Sequence, residues 1–203
     1  MADFKNIIFD FGGVLIDIDY QRCVRSFQKL GFDDFDNWYS QLVQNDLFDD
    51  LETGSISPDE FREKIRQASK FRLTDAVIDA AWNSILTGLP PENILLLRRL
   101  RPHYRLFLLS NTNAIHETAF TAMIAEEYGR NILPELFERI YFSHHIGMRK
   151  PHPEIFLHVL KENNLTAAET LFIDDSPQHI EGAKKTGLQT LFLEKGKKIT
   201  EMF

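Results

Sequence analysis

Apolar runs typical of strands alternate with amphipathic helical segments over most of the chain. The first run, Ile7-Ile8-Phe9, is continuous, as in a strand that is buried on both faces of a parallel sheet. Strands that alternate with helices predict βαβ units, right-handed crossovers and helices on both faces of the sheet. The later strands are predicted at 104–109, 139–142, 170–173 and 189–193, and helices at 91–100, 114–128, 153–163 and 177–186.

Residues 17–88 interrupt this alternation, because strand runs disappear and apolar residues recur at helical spacing. Trp38, Tyr39, Leu42 and Val43 are one example of that spacing, and residues 48–54 are interpreted as an exposed connection. We predict an α/β fold with a doubly wound, Rossmann-like parallel sheet as its core. We expect residues 1–16 and 89–203 to form this α/β core, and residues 17–88 to form an inserted helical cap above the strand ends.

Composition restricts the classes of function. With 43% hydrophobic residues the chain can bury a real core, and a net charge of −7 without a basic stripe argues against nucleic-acid binding. Cys23 is the single cysteine, which excludes an internal disulfide framework and suits a reducing compartment. No segment approaches the roughly 18 apolar residues of a membrane span, and the amino terminus lacks a signal peptide's hydrophobic region. We therefore expect a soluble cytoplasmic protein.

Polar residues follow the first two strands of the predicted core. Asp10 ends the first strand just before two glycines, so it is either a candidate nucleophile and metal ligand or a residue that starts a turn. Ser110 and Asn111 end the next strand immediately before a helix, where a hydroxyl and free amides can bind an anion. The alternative is that Thr112 or Asn113 only caps that helix.

The later strands add a lysine and two acids. Lys150 precedes Pro151 on a loop that leads to the same end of the sheet. Asp174 and Asp175 follow a buried strand, and adjacent buried carboxylates are costly unless a cation lies between them and a third acid. Carboxylate oxygens with a backbone carbonyl and waters suit Mg²⁺, which also takes phosphate oxygens. These groups together predict phosphoryl transfer to Asp10.

The neighbouring pair His144-His145 is the other group with metal-binding chemistry. Consecutive residues usually point apart, and no third ligand stands at a suitable spacing. We therefore interpret the two histidines as structural or rim residues.

Four ordered segments resemble motifs of the haloacid dehalogenase-like hydrolase superfamily. They are residues 10–14, 110–111, 150–151 and 174–175, and together they extend over nearly the whole chain. The chain is most similar to the bacterial α-D-glucose-1-phosphate phosphatase subgroup. The segments that carry this closer resemblance are 16–19, 109–113, 147–151 and 180–183.

The resemblance implies a role for each motif residue. Asp10 attacks phosphorus and forms an aspartyl-phosphate, which water then hydrolyses. Ser110 and the Asn111 amide hold the phosphoryl oxygens, and Lys150 neutralises charge on the nucleophile and the phosphate. The implied Mg²⁺ ligands are Asp10, Asp175, the Gly12 carbonyl and, in support, Asp174.

Gly12 departs from the family pattern, because the family's phosphatases usually have an acid–base aspartate at that position. General acid–base catalysis is worth ~10²–10⁴-fold, so its loss should restrict the substrates. One hypothesis is a leaving group that needs little help, such as an anomeric oxygen. The other is that Asp17 or Asp19 supplies the proton through water.

We predict a Mg²⁺-dependent phosphatase that hydrolyses a small phosphomonoester, such as the sugar phosphate glucose 1-phosphate. The expected partner is this small molecule, with no nucleic acid and no membrane, and the sequence does not fix an oligomeric state. One alternative is a non-catalytic family member that only binds phospho-ligands, which Gly12 supports. A 2-haloacid dehalogenase is the other, and the pair Asp174-Asp175 argues against it.

Overall fold

The computed structural model describes residues 4–39 and 46–203. Five parallel strands in this part of the chain form one sheet, in the order β5-β4-β1-β6-β7. A separate antiparallel ribbon pairs β2 with β3. The strands are β1 (Asn6–Phe9), β2 (Asp17–Ile18), β3 (Leu86–Gly88), β4 (Arg105–Ser110), β5 (Arg139–Phe142), β6 (Thr170–Asp174) and β7 (Gln189–Phe192).

Helices connect the strands and flank the sheet. Where the sequence predicts helices in the core, α6, α7, α10 and α11 lie within two residues of the predicted bounds. The helices are α1 (Tyr20–Lys29), α2 (Phe35–Trp38), α3 (Asp46–Glu52), α4 (Pro58–Ala68), α5 (Asp75–Asn83), α6 (Pro91–Leu100), α7 (Ala114–Tyr128), α8 (Leu133–Leu136), α9 (Ser143–Ile146), α10 (Pro153–Glu162) and α11 (Pro177–Lys184). None of the described helices is both long and apolar enough to cross a membrane.

Both faces of the sheet are buried against helices. Along β1, Ile7 and Phe9 belong to one hydrophobic cluster and Ile8 belongs to the cluster on the opposite face. Alternate residues of β4 divide in the same way, as the two-residue period of a strand requires. This arrangement confirms the predicted doubly wound α/β fold.

The helices between β2 and β3 pack around a separate aromatic cluster. Trp82 and Phe48 are fully buried there and stack with their ring centroids 5.1 Å apart. The prediction of an exposed connection at 48–54 is therefore wrong, since α3 begins at Asp46 and buries Phe48 in this cluster. Leu42 and Val43, which we predicted to continue the helical spacing, lie outside the described residues.

Residues 17–88 also contain strands that the sequence analysis missed. Asp17 in β2 pairs with Gly88 in β3, so the chain leaves and re-enters the core side by side. Strands of two and three residues are too short to produce a recognisable hydrophobic period.

Candidate active site

The carboxyl ends of β1, β4 and β6 bring the predicted residues to one edge of the sheet. Phe9 is in register with Leu108 of β4 and Ile173 of β6, and the Asp10 amide donates to the Ile173 carbonyl at 2.9 Å. A cavity of about 240 Å³ opens at this edge. The predicted site residues that line it are Asp10, Gly12, Ser110, Asn111, Lys150 and Asp175.

Lys150 is fully buried between two carboxylates. Its Nζ donates to Asp10 Oδ1 at 2.6 Å and to Asp174 Oδ2 at 2.7 Å. Burial alone would lower the pKa of Lys150, but the two carboxylates raise it above its ordinary value. The ammonium therefore stays charged and holds the first and last predicted motifs together.

The backbone at Lys150 is fixed by Asn111. The Asn111 Nδ2 donates to the Lys150 carbonyl, and the Lys150 amide donates to Asn111 Oδ1, both at 2.9 Å. This reciprocal pair uses the side chain of Asn111, which leaves its main chain beside Ser110 at the cavity. Ser110 is itself buried and lies at the end of β4.

The next two residues of this loop, Thr112 and Asn113, also make defined hydrogen bonds. Asn113 caps α7, because its Oδ1 accepts from the amides of Ile115 and His116 at 3.1 Å. The amide of Thr112 instead donates to Ser143 Oγ at 2.9 Å. One loop therefore does both: Asn113 caps the helix, and Ser110 places its hydroxyl at the cavity.

Three carboxylates converge beside the lysine. Oxygen atoms of Asp10, Asp174 and Asp175 all lie within 4.8 Å of one another. Burial and the neighbouring carboxylates raise the pKa of Asp10 to about 6 and that of Asp175 to about 7. Burial would also raise the pKa of Asp174, but Lys150 and His179 hold it below its ordinary value. The possible metal ligands are carboxylate oxygens that repel one another, and Mg²⁺ both prefers oxygen ligands and would relieve that repulsion.

The acids do not have equivalent surroundings. Asp174 accepts from Lys150, from the Ser176 amide at 2.8 Å and from His179 Nδ1 at 3.0 Å. Asp175 packs against Gly13, where a Cβ would lie 2.3 Å from Asp175 Oδ2 and the backbone has φ +77°. A glycine at 13 is therefore required on both steric and conformational grounds.

An ion pair that we did not predict joins α3 to the loop before Lys150. Arg149 donates to Glu52 Oε2 and contacts Asp49 Oδ1, both at 2.8 Å, and all three residues line the cavity. Glu52 is buried, and burial raises the pKa of its carboxyl above the ordinary value, while the neighbouring Arg149 acts in the opposite direction. The available signal was the i, i+3 spacing of the two acids on α3, which places them on one helix face.

Neither proton donor that we suggested is at the cavity. Asp19 caps α1 by accepting from the amides of Gln21 and Arg22 at 2.9 and 3.2 Å. Neither Asp17 nor Asp19 is among the described residues that line the cavity. His179 does line the cavity, and its position follows from the first turn of α11.

The parallel sheet and the acid–lysine cluster at its carboxyl edge are the arrangement of a haloacid dehalogenase-like hydrolase. Residues 4–187 match the protein family described as haloacid dehalogenase-like hydrolase, and the chain belongs to that family.

The chain is similar over nearly its full length to named phosphatases. It is 34% identical to a D-ribitol-5-phosphate phosphatase of Bacteroides thetaiotaomicron, with 95% of this chain and 93% of that one covered. A glyceraldehyde 3-phosphate phosphatase of Pyrococcus abyssi is 28% identical, with coverage of 95% and 82%. These relatives agree with the predicted enzyme class.

A solved structure has the same fold. It is a wild-type enzyme of this family from Bacteroides thetaiotaomicron in complex with magnesium and inorganic phosphate. The TM-score is 0.89 at 37% identity, with 98% of this chain and 99% of that one covered. The predicted superfamily and fold are thus confirmed, and the magnesium complex agrees with the predicted cofactor. The closer assignment to glucose-1-phosphate phosphatases, the cytoplasmic location and the absence of nucleic-acid partners stay predictions.

Proposed function

We propose that this protein is a Mg²⁺-dependent phosphatase that hydrolyses a small phosphomonoester through an aspartyl-phosphate on Asp10. The observation that carries the proposal is the buried Lys150, bonded to Asp10 and Asp174 where Asp175 completes an acid trio. The named phosphatases among the relatives support the same reaction.

In this proposal, a carboxylate oxygen of Asp10 attacks phosphorus and the substrate oxygen leaves on the opposite side. Lys150 keeps that carboxylate ionised and in place, and it offsets charge on the phosphoryl group. Ser110 Oγ and the main-chain amide of Asn111 donate hydrogen bonds to the phosphoryl oxygens.

Asp10, Asp175 and the Gly12 carbonyl would hold the metal, with Asp174 orienting the site through its own hydrogen bonds. A bound Mg²⁺ supplies positive charge that stabilises the phosphoryl oxygens. Three carboxylates, Lys150 and one Mg²⁺ sum to a formal charge of about zero, so a phosphate dianion enters a site without net repulsion.

Gly12 separates this chain from phosphatases that have an acid–base aspartate there. Because Asp17 and Asp19 lie outside the cavity, substrates with readily departing oxygens, such as an anomeric phosphate, fit the site best. Among the described residues, a Cβ at position 12 would meet the Ile18 side chain alone, with Cδ1 at 3.3 Å and Cγ2 at 3.8 Å. Because the nearer atom is the tip of a flexible side chain, Gly12→Asp can be accommodated.

That substitution tests the leaving-group argument. We expect Gly12→Asp to accelerate alkyl phosphates by up to ~10²-fold, with less effect on aryl phosphates of acidic phenols. A wild-type rate that is independent of leaving-group acidity while chemistry is limiting would contradict unassisted departure and indicate another acid.

The cavity indicates the substrate class. Its volume of about 240 Å³ is below the roughly 300 Å³ at which pockets for drug-sized ligands begin, so a small substrate is favoured. Residues 1–16 and 89–203 form the catalytic core, and residues 17–88 form the cap, which contributes Tyr20, Asp49 and Glu52 to the lining. These polar groups suit the hydroxyls of a sugar phosphate, and glucose 1-phosphate, whose anomeric oxygen departs readily, remains our candidate.

The experiment is a phosphate-release panel with and without Mg²⁺, with Asp10→Asn as the control. We expect release from small sugar phosphates, fastest from anomeric phosphates, that depends on both Mg²⁺ and Asp10. Metal-dependent ligand binding without release would identify a non-catalytic binding protein, and chloride release from 2-haloacids without metal would identify a dehalogenase. Steady turnover by purified Asp10→Asn protein would refute the proposed nucleophile.

A further inference from the structure

Glu117, His144 and His145 meet outside the acid trio. The Nε2 atoms of His144 and His145 each lie 2.9 Å from Glu117 Oε2. The two imidazole rings have centroids 4.2 Å apart, so the expectation that these neighbours point apart is wrong. The sheet supplies the third residue, because α7 follows β4 and α9 follows the adjacent strand β5.

The hydrogen bonds of His144 point its second nitrogen at the carboxylate. His144 Nδ1 lies 3.2 Å from the Thr112 carbonyl oxygen, which can only accept, so Nδ1 carries a proton. A neutral imidazole then presents a lone pair at Nε2, directed at a carboxylate oxygen. Both atoms are hydrogen-bond acceptors, and their lone pairs repel unless a second proton or a metal cation lies between them. A carbonyl that fixes the tautomer in this way is a common support for metal-binding histidines.

The separations are close to those of a metal centre. Ligand atoms of the three residues all lie within 4.8 Å of one another. Zn–N and Zn–O bonds of about 2.0–2.2 Å place tetrahedral ligands about 3.3 Å apart. Small rotations of Glu117 and His145 would open the present 2.9 Å contacts to that spacing. The His145 side chain is 54% exposed, so an ion can enter directly from solvent.

We propose that Glu117, His144 and His145 form a second metal site, which takes a late first-row divalent ion such as Zn²⁺. Two imidazole nitrogens and one carboxylate suit such ions, whereas Mg²⁺ selects the all-oxygen trio of Asp10, Asp174 and Asp175. Water completes the coordination on the exposed side. The site goes beyond the proposed phosphatase, because it requires none of the groups that contact the substrate.

The test is a titration of the 203-residue protein with Zn²⁺ in saturating Mg²⁺, followed by calorimetry. We expect one strong Zn²⁺ site per chain. His145→Ala and Glu117→Gln should each weaken it by at least about 100-fold, because losing only an outer-shell partner costs about 10–100-fold. His103→Ala, which removes an exposed histidine elsewhere, should bind Zn²⁺ like the wild type.

X-ray absorption of the Zn²⁺ form gives the coordinating atoms directly, and we expect two imidazole nitrogens. The site should persist in Asp175→Asn, which separates it from the acid trio, and circular dichroism establishes that each variant is folded. Absence of Zn²⁺ binding in excess Mg²⁺, unchanged affinity in both ligand variants, or an oxygen-only shell would overturn the proposal. In each of these cases the three residues form only a hydrogen-bonded cluster.

Discussion

Gly182→Ala tests how the position of Lys150 depends on a contact outside the cavity. Gly182 is buried in α11, and a Cβ there would lie 2.1 Å from the carbonyl oxygen of Pro151 and 2.9 Å from its carbonyl carbon. Real Cβ atoms essentially never approach closer than 3.0 Å, so the two backbones must separate by about 1 Å. Pro151 directly follows Lys150, and this displacement is therefore transmitted to the ammonium between Asp10 and Asp174.

The magnitudes separate stability from activity. Overpacking of this kind costs about 1–3 kcal/mol, while alanine in place of glycine returns up to about 1 kcal/mol of helix propensity. We expect a net loss of about 0–3 kcal/mol in the free energy of unfolding. A misplacement of about 1 Å at a catalytic group can cost ~10²-fold, so kcat should fall far more than stability suggests.

Urea unfolding and steady-state kinetics with Mg²⁺ measure the two effects on the same protein. Glu181→Ala is the matched control, because Glu181 is exposed on the same helix and its ion pair with Lys184 contributes little. We expect that control to keep wild-type kcat. A Gly182→Ala protein with wild-type kcat and stability would show that the contact does not position Lys150.

Three further substitutions test other parts of the structure. Lys150→Met should lower the free energy of unfolding by about 3–5 kcal/mol and abolish turnover, because it removes the cation from between two buried carboxylates; a loss below 1 kcal/mol in urea unfolding would contradict this. Asn113→Ala should cost about 2–4 kcal/mol in the same assay, since it removes a helix cap and a buried acceptor; a wild-type midpoint would refute it. Without metal, the raised pKa of Asp175 favours the folded state below about pH 3.8, and this contribution is lost as the pH rises through about 7. In EDTA, stability relative to Asp175→Asn should therefore fall between pH 4 and 8, and parallel curves would contradict the assignment.

The sheet and the acid–lysine cluster could be predicted because local pattern and topology agree. The run Ile7-Ile8-Phe9 is long enough to identify a buried strand, and parallel strands bring their carboxyl ends together without further information. Asp10 and the pair Asp174-Asp175 therefore had to approach one another once the α/β alternation was identified.

Contacts that depend on packing between segments could not be predicted in this way. Arg149 and Glu52 are 97 positions apart in the sequence. The periodicity of apolar residues predicts each helix but not how the helices of residues 17–88 pack against the rest of the chain. The contact of Glu117 with both histidines depends on a four-residue helix, α9, which is too short to be recognised from sequence.

The pairing of Asp17 with Gly88 has an evolutionary consequence. The segment between them leaves and re-enters the chain at facing residues of one short ribbon. This excursion can therefore be shortened, lengthened or replaced by a tight hairpin without a change in the strand pairing of the sheet. Reaction chemistry and substrate choice can then change independently, because the groups placed by the sheet and the lining contributed by the excursion are inherited on separable pieces of chain.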